Sequence, residues 1–395
     1  MIKQISGDVV FVSGAVNSAV YDFRTKKVYS LNDKGTEIIK AYIEDKTLND
    51  EGREYINNVI GLLDIPDIFL VDYCPQVIPE NRLSIAWLEL TQKCNCKCLH
   101  CYEGSEHRDT NVLSYEQWLG VIDELSELKC RSIVFIGGEP SLYKKLPELL
   151  RYAAEKNFEK ICVYSNLCYI SEELLEAICS SGATVRFSIY GNDAVSHDRI
   201  TGIDGSFSRL IGNIEKLQKN NVKLGASIVI MRENEDRAES ITELLKQMNI
   251  EHIHRDEIRK VYNGTQDEHL VLNSRMERKT PNFSADKKFF DSVFSINTCW
   301  HGKIAVSTDG KVFPCEFERN IVYGDVNKTS LKQIVDGKEL YYYWHLDYSN
   351  IEVCRSCEYR FACKDCRPLG CAENGNILGK SYRCKYDPYT GVWNK

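Results

Sequence analysis

Three cysteines lie close together in the segment 94–101, with the spacing C-x₃-C-x₂-C. Three thiolates on one short loop can each hold one iron of a [4Fe–4S] cluster, and the fourth iron is then open to a substrate or cofactor. A structural zinc site is the alternative, but it needs a fourth ligand at similar reach, usually from two C-x₂-C pairs. The spacing of Cys94, Cys98 and Cys101 therefore favours an iron–sulfur cluster with an open iron.

Two apolar runs surround this loop and predict the strands that position it. The run 84–90 leads directly into the cysteines, and the run 132–136 ends in the segment Gly137-Gly-Glu-Pro140. The three-cysteine loop and this segment together resemble the radical S-adenosylmethionine (SAM) enzymes. The resemblance implies that the open iron binds the amino and carboxylate groups of SAM, and that reductive cleavage of SAM supplies a 5′-deoxyadenosyl radical.

The resemblance also implies contacts between the glycine-rich turn and SAM. Gly137 and Gly138 would let the backbone approach the ligand, because glycine has no Cβ, and their carbonyls would accept from the methionyl ammonium. Glu139, which precedes Pro140, would either hold that ammonium or brace the turn.

Three further residues have positions that match the family, and one nearby cysteine does not. His100 precedes the third cysteine, where the family places an aromatic side chain beside the adenine. Asn166 and Ser188 stand where the family contacts the carboxylate and ribose of SAM, although Ser188 also suits an ordinary hydroxyl at a strand end. Cys96 is out of register and is interpreted as a bystander.

Residues 84–256 alternate between strand-like and helix-like segments. Such βα units imply parallel strands with right-handed crossovers, and active residues then belong at the carboxyl ends of the strands. The sequence therefore predicts an α/β fold with a partial (β/α)₆ radical SAM barrel. The predicted strands are 84–90, 132–136, 160–165, 184–190, 224–230 and 250–254, and the predicted helices are 114–129, 141–156, 171–181, 206–220 and 235–248.

The C-terminal third contains a second group of cysteines. Their spacing resembles the SPASM extension, which houses two auxiliary Fe–S clusters in peptide-modifying radical SAM enzymes. By the family pattern, one distal cluster and one proximal cluster would be bound here, giving three [4Fe–4S] clusters in the chain. The distal ligands would be Cys354, Cys357, Cys363 and Cys384, and the proximal ligands Cys299, Cys315 and Cys366.

The proximal ligand set departs from the family pattern. Only two residues separate Cys363 from Cys366, where three are usual, and Cys371 is the other possible ligand. If Cys371 is not a ligand, the proximal cluster has an open iron that can bind a thiolate. A zinc site made by the C-x₂-C pairs that begin at Cys354 and Cys363 is the alternative.

The N-terminal residues 1–73 contain short strand-like runs followed by two helix-like segments. Residues 28–39 resemble the strand–Leu-Asn–helix segment of small PqqD-like winged-helix domains. The resemblance implies capture of the leader of a precursor peptide, which adds as an extra strand to an exposed sheet edge. The alternative is an N-terminal cap that only covers the barrel.

Composition excludes several classes of partner. The net charge of −7 gives no basic field for nucleic acid. No apolar run approaches the length of a membrane span, and the N-terminus lacks signal-peptide features. Seventeen cysteines without a secretory signal favour metal binding over disulfides. The sequence thus predicts a cytoplasmic enzyme without nucleic-acid or membrane partners.

Together these features predict a radical SAM/SPASM peptide maturase. The predicted domains are 1–73, a linker at 74–83, the barrel at 84–285 and the SPASM domain at 286–395. The expected reaction is hydrogen abstraction from a precursor peptide followed by thioether formation from a cysteine, with a flavodoxin- or ferredoxin-type one-electron reductant. Carbon–carbon cross-linking, epimerisation and formylglycine formation remain open, as does a non-catalytic Fe–S electron-transfer protein.

Overall fold

The computed structural model describes residues 1–68, 71–76, 82–101, 112–259, 270, 283–364, 366–371 and 375–394. The chain forms two compact units. One contains residues 1–80, 277–301 and 343–395, and the other contains residues 81–276 and 302–342. These units are interleaved along the chain, whereas the predicted domains are consecutive; the predicted boundaries remain predictions.

Within these described ranges, the strands form three sheets. They are β1 (Ile2–Ser6), β2 (Val9–Ser13), β3 (Ser18–Asp22), β4 (Lys27–Leu31), β5 (Val71–Asp72), β6 (Ile85–Glu89), β7 (Ser132–Ile136), β8 (Lys160–Ser165), β9 (Thr184–Ile189), β10 (Leu224–Ile230), β11 (His252–Glu257), β12 (Lys303–Val306), β13 (Lys311–Phe313), β14 (Gly324–Asp325), β15 (Tyr386–Asp387) and β16 (Val392–Trp393).

The helices are distributed over both units. They are α1 (Asp33–Ile43), α2 (Asp50–Leu63), α3 (Tyr115–Glu127), α4 (Leu146–Ala154), α5 (Glu172–Ser181), α6 (Ala194–Thr201), α7 (Ser206–Lys219), α8 (Ala238–Gln247), α9 (Lys287–Ser292), α10 (Leu331–Val335), α11 (Lys338–Trp344) and α12 (Arg367–Cys371).

The larger sheet has the order β11-β10-β9-β8-β7-β6-β12-β13-β14. Strands β6 to β11 are parallel to their neighbours, and helices connect them. This confirms the predicted α/β architecture of parallel strands joined by helices. β12 extends the sheet in parallel beside β6, and β13 and β14 follow in antiparallel order.

Local sequence signals explain why the helices of this unit begin where they do. Ser114 caps α3 and forms a reciprocal capping box with Gln117. Ser171 caps α5 by accepting from the backbone N–H of Leu174. Both caps satisfy backbone N–H groups that have no partner inside the helix.

The smaller N-terminal sheet has the order β4-β3-β2-β1-β5. Its helices α1 and α2 begin after the caps Asn32 and Asn49, whose side chains accept from backbone N–H groups. The strand-like runs expected at 9–12, 19–23 and 28–31 correspond to β2, β3 and β4, and β1 and β5 are additional. No helix among the described residues is long and apolar enough to cross a membrane.

Candidate active site

The three-cysteine loop begins at the carboxyl end of β6. Cys94, Cys98 and Cys101 are partly buried and form no disulfide. The backbone N–H groups of Lys97 and Leu99 donate to carbonyls at the end of α6, at 2.8 and 3.0 Å. The loop is therefore held in place by a neighbouring helix, and none of its three predicted ligand cysteines is in a disulfide.

The glycine-rich turn at the end of β7 packs against the backbone that leads into the cysteines. A Cβ on Gly137 would lie 2.5 Å from the carbonyl oxygen of Thr91, and one on Gly138 would lie 2.4 Å from that of Gln92. In addition, the N–H of Gly138 donates to the Thr91 carbonyl at 2.7 Å. Close packing against residues 91–93 therefore leaves no room for a Cβ atom at either glycine. The contact of these glycines with SAM remains a prediction.

Glu139 is fully buried and braces the turn. Its carboxylate accepts from the N–H of Ser141 at 3.0 Å, the hydroxyl of Ser165 at 2.8 Å and the N–H of Asn166 at 2.7 Å. Burial raises the pKa of this carboxyl group, although the three donors oppose the shift. Pro140 follows and opens the short 3₁₀ turn at 140–142.

Asn166 connects the end of β8 to the cysteine loop. Its side-chain amide donates to Asn95 Oδ1 at 2.7 Å and lies 3.4 Å from Cys96 Sγ. It also lies 3.8 Å from Cys94 Sγ. Cys96 is buried, with its sulfur 3.7 Å from that of Cys168. Asn166 therefore organises the loop, and Cys96 lies against another buried thiol.

His100 and Ser188 both contact the buried side chain of Tyr190. The ring of His100 meets that of Tyr190 edge-on, with centroids 4.6 Å apart, and burial lowers the pKa of His100 to about 4. Burial and then the Cys98 thiol raise the pKa of Tyr190 well above its usual value, while the Ser188 hydroxyl hydrogen-bonds to it. The predicted contacts of His100 and Ser188 with SAM remain predictions.

The sheet face that carries Ser188 also carries charged groups that the sequence analysis did not select. Arg186, two residues before Ser188, donates to the hydroxyl of Tyr164 at 3.3 Å. Glu89 at the end of β6 is 3 % exposed and pairs with Arg319 at 3.0 Å. The sequence signal that could have identified these groups is a charged residue within an otherwise apolar strand run, because such residues are seldom buried without a partner.

The four predicted distal cysteines lie in one unit and pack against one hydrophobic cluster. Cys354, Cys357, Cys363 and Cys384 all contact this cluster and form no disulfides. The hydroxyl of Tyr348, a member of the cluster, donates to the Cys363 carbonyl at 2.7 Å. Four partly buried thiols around one apolar core suit an iron–sulfur cluster, which binds through thiolates.

A partly buried cation also suits an anionic cluster at this place. Arg360 donates to the carbonyl of Cys357 at 2.5 Å, and burial lowers the pKa of its guanidinium group. No three His, Cys, Asp or Glu side chains in the described part of the chain come together as the ligands of a single metal ion would. A [4Fe–4S] cluster does not require its cysteines to converge on one metal ion, since each cysteine holds its own iron.

The remaining cysteines of the C-terminal third have separate surroundings. Cys299 Sγ accepts from the N–H of Arg367, which follows Cys366 directly, at 3.4 Å. Cys371 is buried at the end of α12. Cys315 is buried between β13 and β14 in the other compact unit. The proximal ligand set therefore stays a prediction.

Two family models match the chain at these places. The radical SAM superfamily model matches residues 88–245, which contain the three-cysteine loop and the glycine-rich turn. The model of the iron-sulfur cluster-binding SPASM domain matches residues 299–358. The chain is a radical SAM enzyme with a SPASM domain. These two domains imply [4Fe–4S] clusters and SAM as the cofactors of the enzyme.

Curated relatives of this enzyme have different substrates. It is 33% identical to the sporulation killing factor maturation protein SkfB of Bacillus subtilis over 40% of this chain and 38% of that protein. It is 24% identical to the PqqA peptide cyclase of Gluconobacter oxydans, over 79% and 93%. It is also 23% identical to the AdoMet-dependent heme synthase of Methanosarcina barkeri, over 77% and 96%.

Solved structures share the fold of the enzyme. SuiB of Streptococcus suis bound to its precursor peptide SuiA has a TM-score of 0.61 at 13% identity, over 96% of this chain and 99% of that one. The enzyme anSMEcpe with AdoMet and the Kp18Cys peptide has a TM-score of 0.61 at 17% identity, over 78% and 95%. At these identities the likeness shows the fold alone.

Proposed function

We propose that this radical SAM enzyme modifies a ribosomally made precursor peptide and forms a thioether from a peptide cysteine. The observation that carries the proposal is the junction between the three-cysteine loop and the glycine-rich turn. The N–H groups of Gly138 and Glu139 donate to the carbonyls of Thr91 and Lys93, at 2.7 and 2.8 Å. The predicted ligand loop and the glycine-rich turn thus share one edge of the sheet.

The residues of the site have distinct roles in this proposal. Cys94, Cys98 and Cys101 would hold a [4Fe–4S] cluster that, with SAM bound, supplies a 5′-deoxyadenosyl radical able to take a hydrogen atom from the substrate. Glu139 and Asn166 fix the ligand loop through the hydrogen bonds described above. The polar groups that share the sheet face of Ser188 would line the chamber that receives the substrate and orient it.

The N-terminal sheet supports a peptide rather than a small molecule as substrate. β4 is an edge strand, and Lys27 at its start bridges Ser284, so the positions that follow Lys27 are the candidates for pairing with a leader. A cavity of about 230 Å³ opens beside the end of β4, between α1 and α2. Its lining residues are mostly polar, with Ile38 and Tyr55 beside Asn32, Lys34, Glu51, Glu54 and Asn58, so it would suit a polar side chain of a bound leader.

The thioether is the product that the cysteine pattern favours. The family pattern assigns three ligands to the proximal cluster, and thiolate is the soft ligand that iron–sulfur centres prefer. A substrate cysteine would therefore be accommodated at that cluster if Cys371 is not a ligand. The reductant would be a flavodoxin- or ferredoxin-type protein, and three [4Fe–4S] clusters are proposed for the chain.

The test uses anaerobically reconstituted enzyme, SAM, a one-electron reductant and candidate precursor peptides. In a thioether product, the carbon has lost one hydrogen atom to the deoxyadenosyl radical, the sulfur has lost one proton to a base, and the electron released on C–S bond formation would pass to an oxidised auxiliary cluster. The cysteine of that product no longer reacts with an alkylating reagent. A precursor with that cysteine changed to alanine is the matched control. If all cysteines of the modified peptide remain alkylatable, the product is not a thioether. Carbon–carbon cross-linking, epimerisation or formylglycine formation would then become the proposed reaction.

A second candidate is oxidation of a heme precursor. The observation that favours it is the match to AdoMet-dependent heme synthase over 96% of that protein. Oxidation of a heme precursor would give β1 to β5 no role in substrate binding. If SAM cleavage is stimulated by a heme precursor and not by peptides, the heme candidate replaces the peptide proposal. Absence of any SAM cleavage would instead favour a non-catalytic Fe–S protein.

A further inference from the structure

The N-terminal sheet is buried on both faces. On one face, Val9, Phe11 and Val20 pack against α1 and α2 through residues such as Ile39 and Ile56. The alternate residues of β2 and β3 face the opposite way and belong to a second cluster, with Val10, Val12, Ala19 and Tyr21 at 0 % exposure. A sheet with two covered faces is part of a larger core rather than a separable module.

The second cluster is the one that the predicted distal cysteines contact. Cys354, Cys357, Cys363 and Cys384 pack against the same apolar group that contains Val10 and Tyr21. The N-terminal sheet and the distal cysteines thus share one core within the same compact unit. The walls around these thiols come from both ends of the chain.

Hydrogen bonds join the N-terminal sheet and its β2–β3 loop to the segment 356–360, which contains the second distal cysteine, Cys357. The N–H of Ala15 donates to the carbonyl of Ser356 at 2.9 Å. The hydroxyl of Tyr21 donates to the carbonyl of Glu358 at 2.8 Å. The hydroxyls of Ser30 and Tyr359 are 2.6 Å apart.

Tyr21 has the most direct position of these residues. Its hydroxyl donates to the carbonyl of Glu358, the residue that follows Cys357, and its side chain is fully buried. A buried hydroxyl needs a partner, and here that partner is the backbone carbonyl of the residue next to Cys357. The bond spans 337 residues of sequence.

We propose that Tyr21 is a positioning residue for the distal iron–sulfur cluster, and that β2 and β3 form one wall of that cluster's site. The inference rests on the distal ligand set of the proposed function and goes beyond it. It also implies that residues 1–73 cannot be removed without loss of the distal cluster. The N-terminal region then has two roles, peptide capture at β4 and support of the cluster through β2 and β3.

The experiment removes the Tyr21 hydroxyl and keeps the ring. Tyr21→Phe is made in the full chain with Cys94, Cys98 and Cys101 changed to alanine, so that only auxiliary clusters contribute to the spectrum. Cys357→Ala in the same background identifies the signal of the distal cluster. Tyr55→Phe, on the opposite side of the sheet, is the matched control. The readouts are iron content, the electron paramagnetic resonance spectrum of the reduced protein, and the rate of iron release to a chelator.

Tyr21→Phe is expected to shift the spectral signal that Cys357→Ala abolishes and to speed release of that iron about fivefold, as for one lost buried hydrogen bond. Tyr55→Phe should change neither. A second variant, Ala15→Pro, removes a donor to Ser356 from an exposed position and should act in the same direction.

Two results would overturn the inference. One is an unchanged distal signal and release rate in both Tyr21→Phe and Ala15→Pro. The other is equal acceleration of iron release from all auxiliary clusters, because that indicates general destabilisation rather than positioning. If Cys357→Ala itself leaves iron content unchanged, the proposed ligand set fails, which is distinguishable from failure of the role of Tyr21.

Discussion

The carboxylate of Glu139 accepts a hydrogen bond from the backbone N–H of Asn166 at 2.7 Å, which ties the ends of β7 and β8 together. Asn166 in turn donates to Asn95 inside the cysteine loop. Three strand ends are therefore connected through one buried carboxylate and one amide. This network positions the ligand loop before any cofactor is bound.

Glu139→Gln should weaken this network. The Glu139 carboxylate accepts hydrogen bonds from three donors. A glutamine amide has only one accepting oxygen, and its NH₂ group would be placed against N–H or O–H groups that also donate. The expected cost is about 1–3 kcal/mol, because a buried donor loses its acceptor. Melting temperature of the apoprotein is the measurement, and Glu155→Gln, at an exposed site, is the control. Equal melting temperatures of both variants would show that the network is dispensable.

Gly138→Ala should displace the cysteine loop. Its Cβ would meet the carbonyl oxygens of Gln92 and Lys93 at 2.4 and 2.6 Å, and backbone atoms cannot swing away as side chains do. We expect a loss of SAM-cluster iron and of SAM cleavage. Gly120→Ala is the control, because nothing lies within 4 Å of the added carbon and alanine favours a helix. Iron retention in Gly138→Ala equal to that in Gly120→Ala would contradict the packing argument.

Asp198 should make folding sensitive to acid. Its carboxylate accepts from Gly205 N at 2.6 Å, Ser206 Oγ at 2.7 Å and Phe207 N at 2.8 Å, at the start of α7. Burial alone would raise the pKa of Asp198, but these donors, led by Ser206, lower it overall. The folded-state pKa lies below the unfolded one, so the stabilisation is full above the unfolded value of about 3.9 and is lost as the pH falls through the folded value.

Asp198→Asn should remove this pH dependence. Between about pH 5 and pH 3, the melting temperature of the wild-type apoprotein should fall more steeply than that of the variant. At neutral pH the variant should be less stable by roughly 1 kcal/mol, typical of a lost cap. Asp204→Asn, at an exposed site in the same loop, is the control. Parallel pH profiles for wild type and Asp198→Asn would refute this role.

Cys371→Ala should leave the cluster content intact. Cys371 is 4 % exposed within a short helix, and its thiol is interpreted as a core side chain. The iron content should stay at about 12 per chain, as for three [4Fe–4S] clusters. Loss of about four irons would show that Cys371 closes the proximal site, and direct binding of a substrate thiolate there would become improbable.

The barrel could be predicted from sequence because its strands are apolar runs separated by capped helices. β7, β8 and β10 occupy the predicted residues, whereas the run predicted at 250–254 is a strand at His252–Glu257. That segment, His-Ile-His-Arg-Asp-Glu, is too polar to give a clear apolar pattern. The short elements between residues 299 and 395 were not predicted, since strands of two to four residues carry no periodicity.

The ligand cysteines could be identified by spacing, but their surroundings could not. Spacing indicates which thiols share a loop, and it contains no information on contacts between distant segments. The bond from Tyr21 to Glu358 and the pairing of Glu89 with Arg319 join residues 337 and 230 positions apart. The sequence alone also does not explain why positions 137 and 138 are glycines, because the backbone atoms that approach Gly137 and Gly138 belong to residues 91–93.

Reductive cleavage of SAM tests the central claim most directly. Anaerobically reconstituted enzyme with a one-electron reductant should convert SAM to methionine and 5′-deoxyadenosine. Replacing Cys94, Cys98 and Cys101 together with alanine should abolish this cleavage and remove about a third of the iron. Cleavage that survives the triple replacement, or zinc in place of iron in the reconstituted protein, would contradict the account.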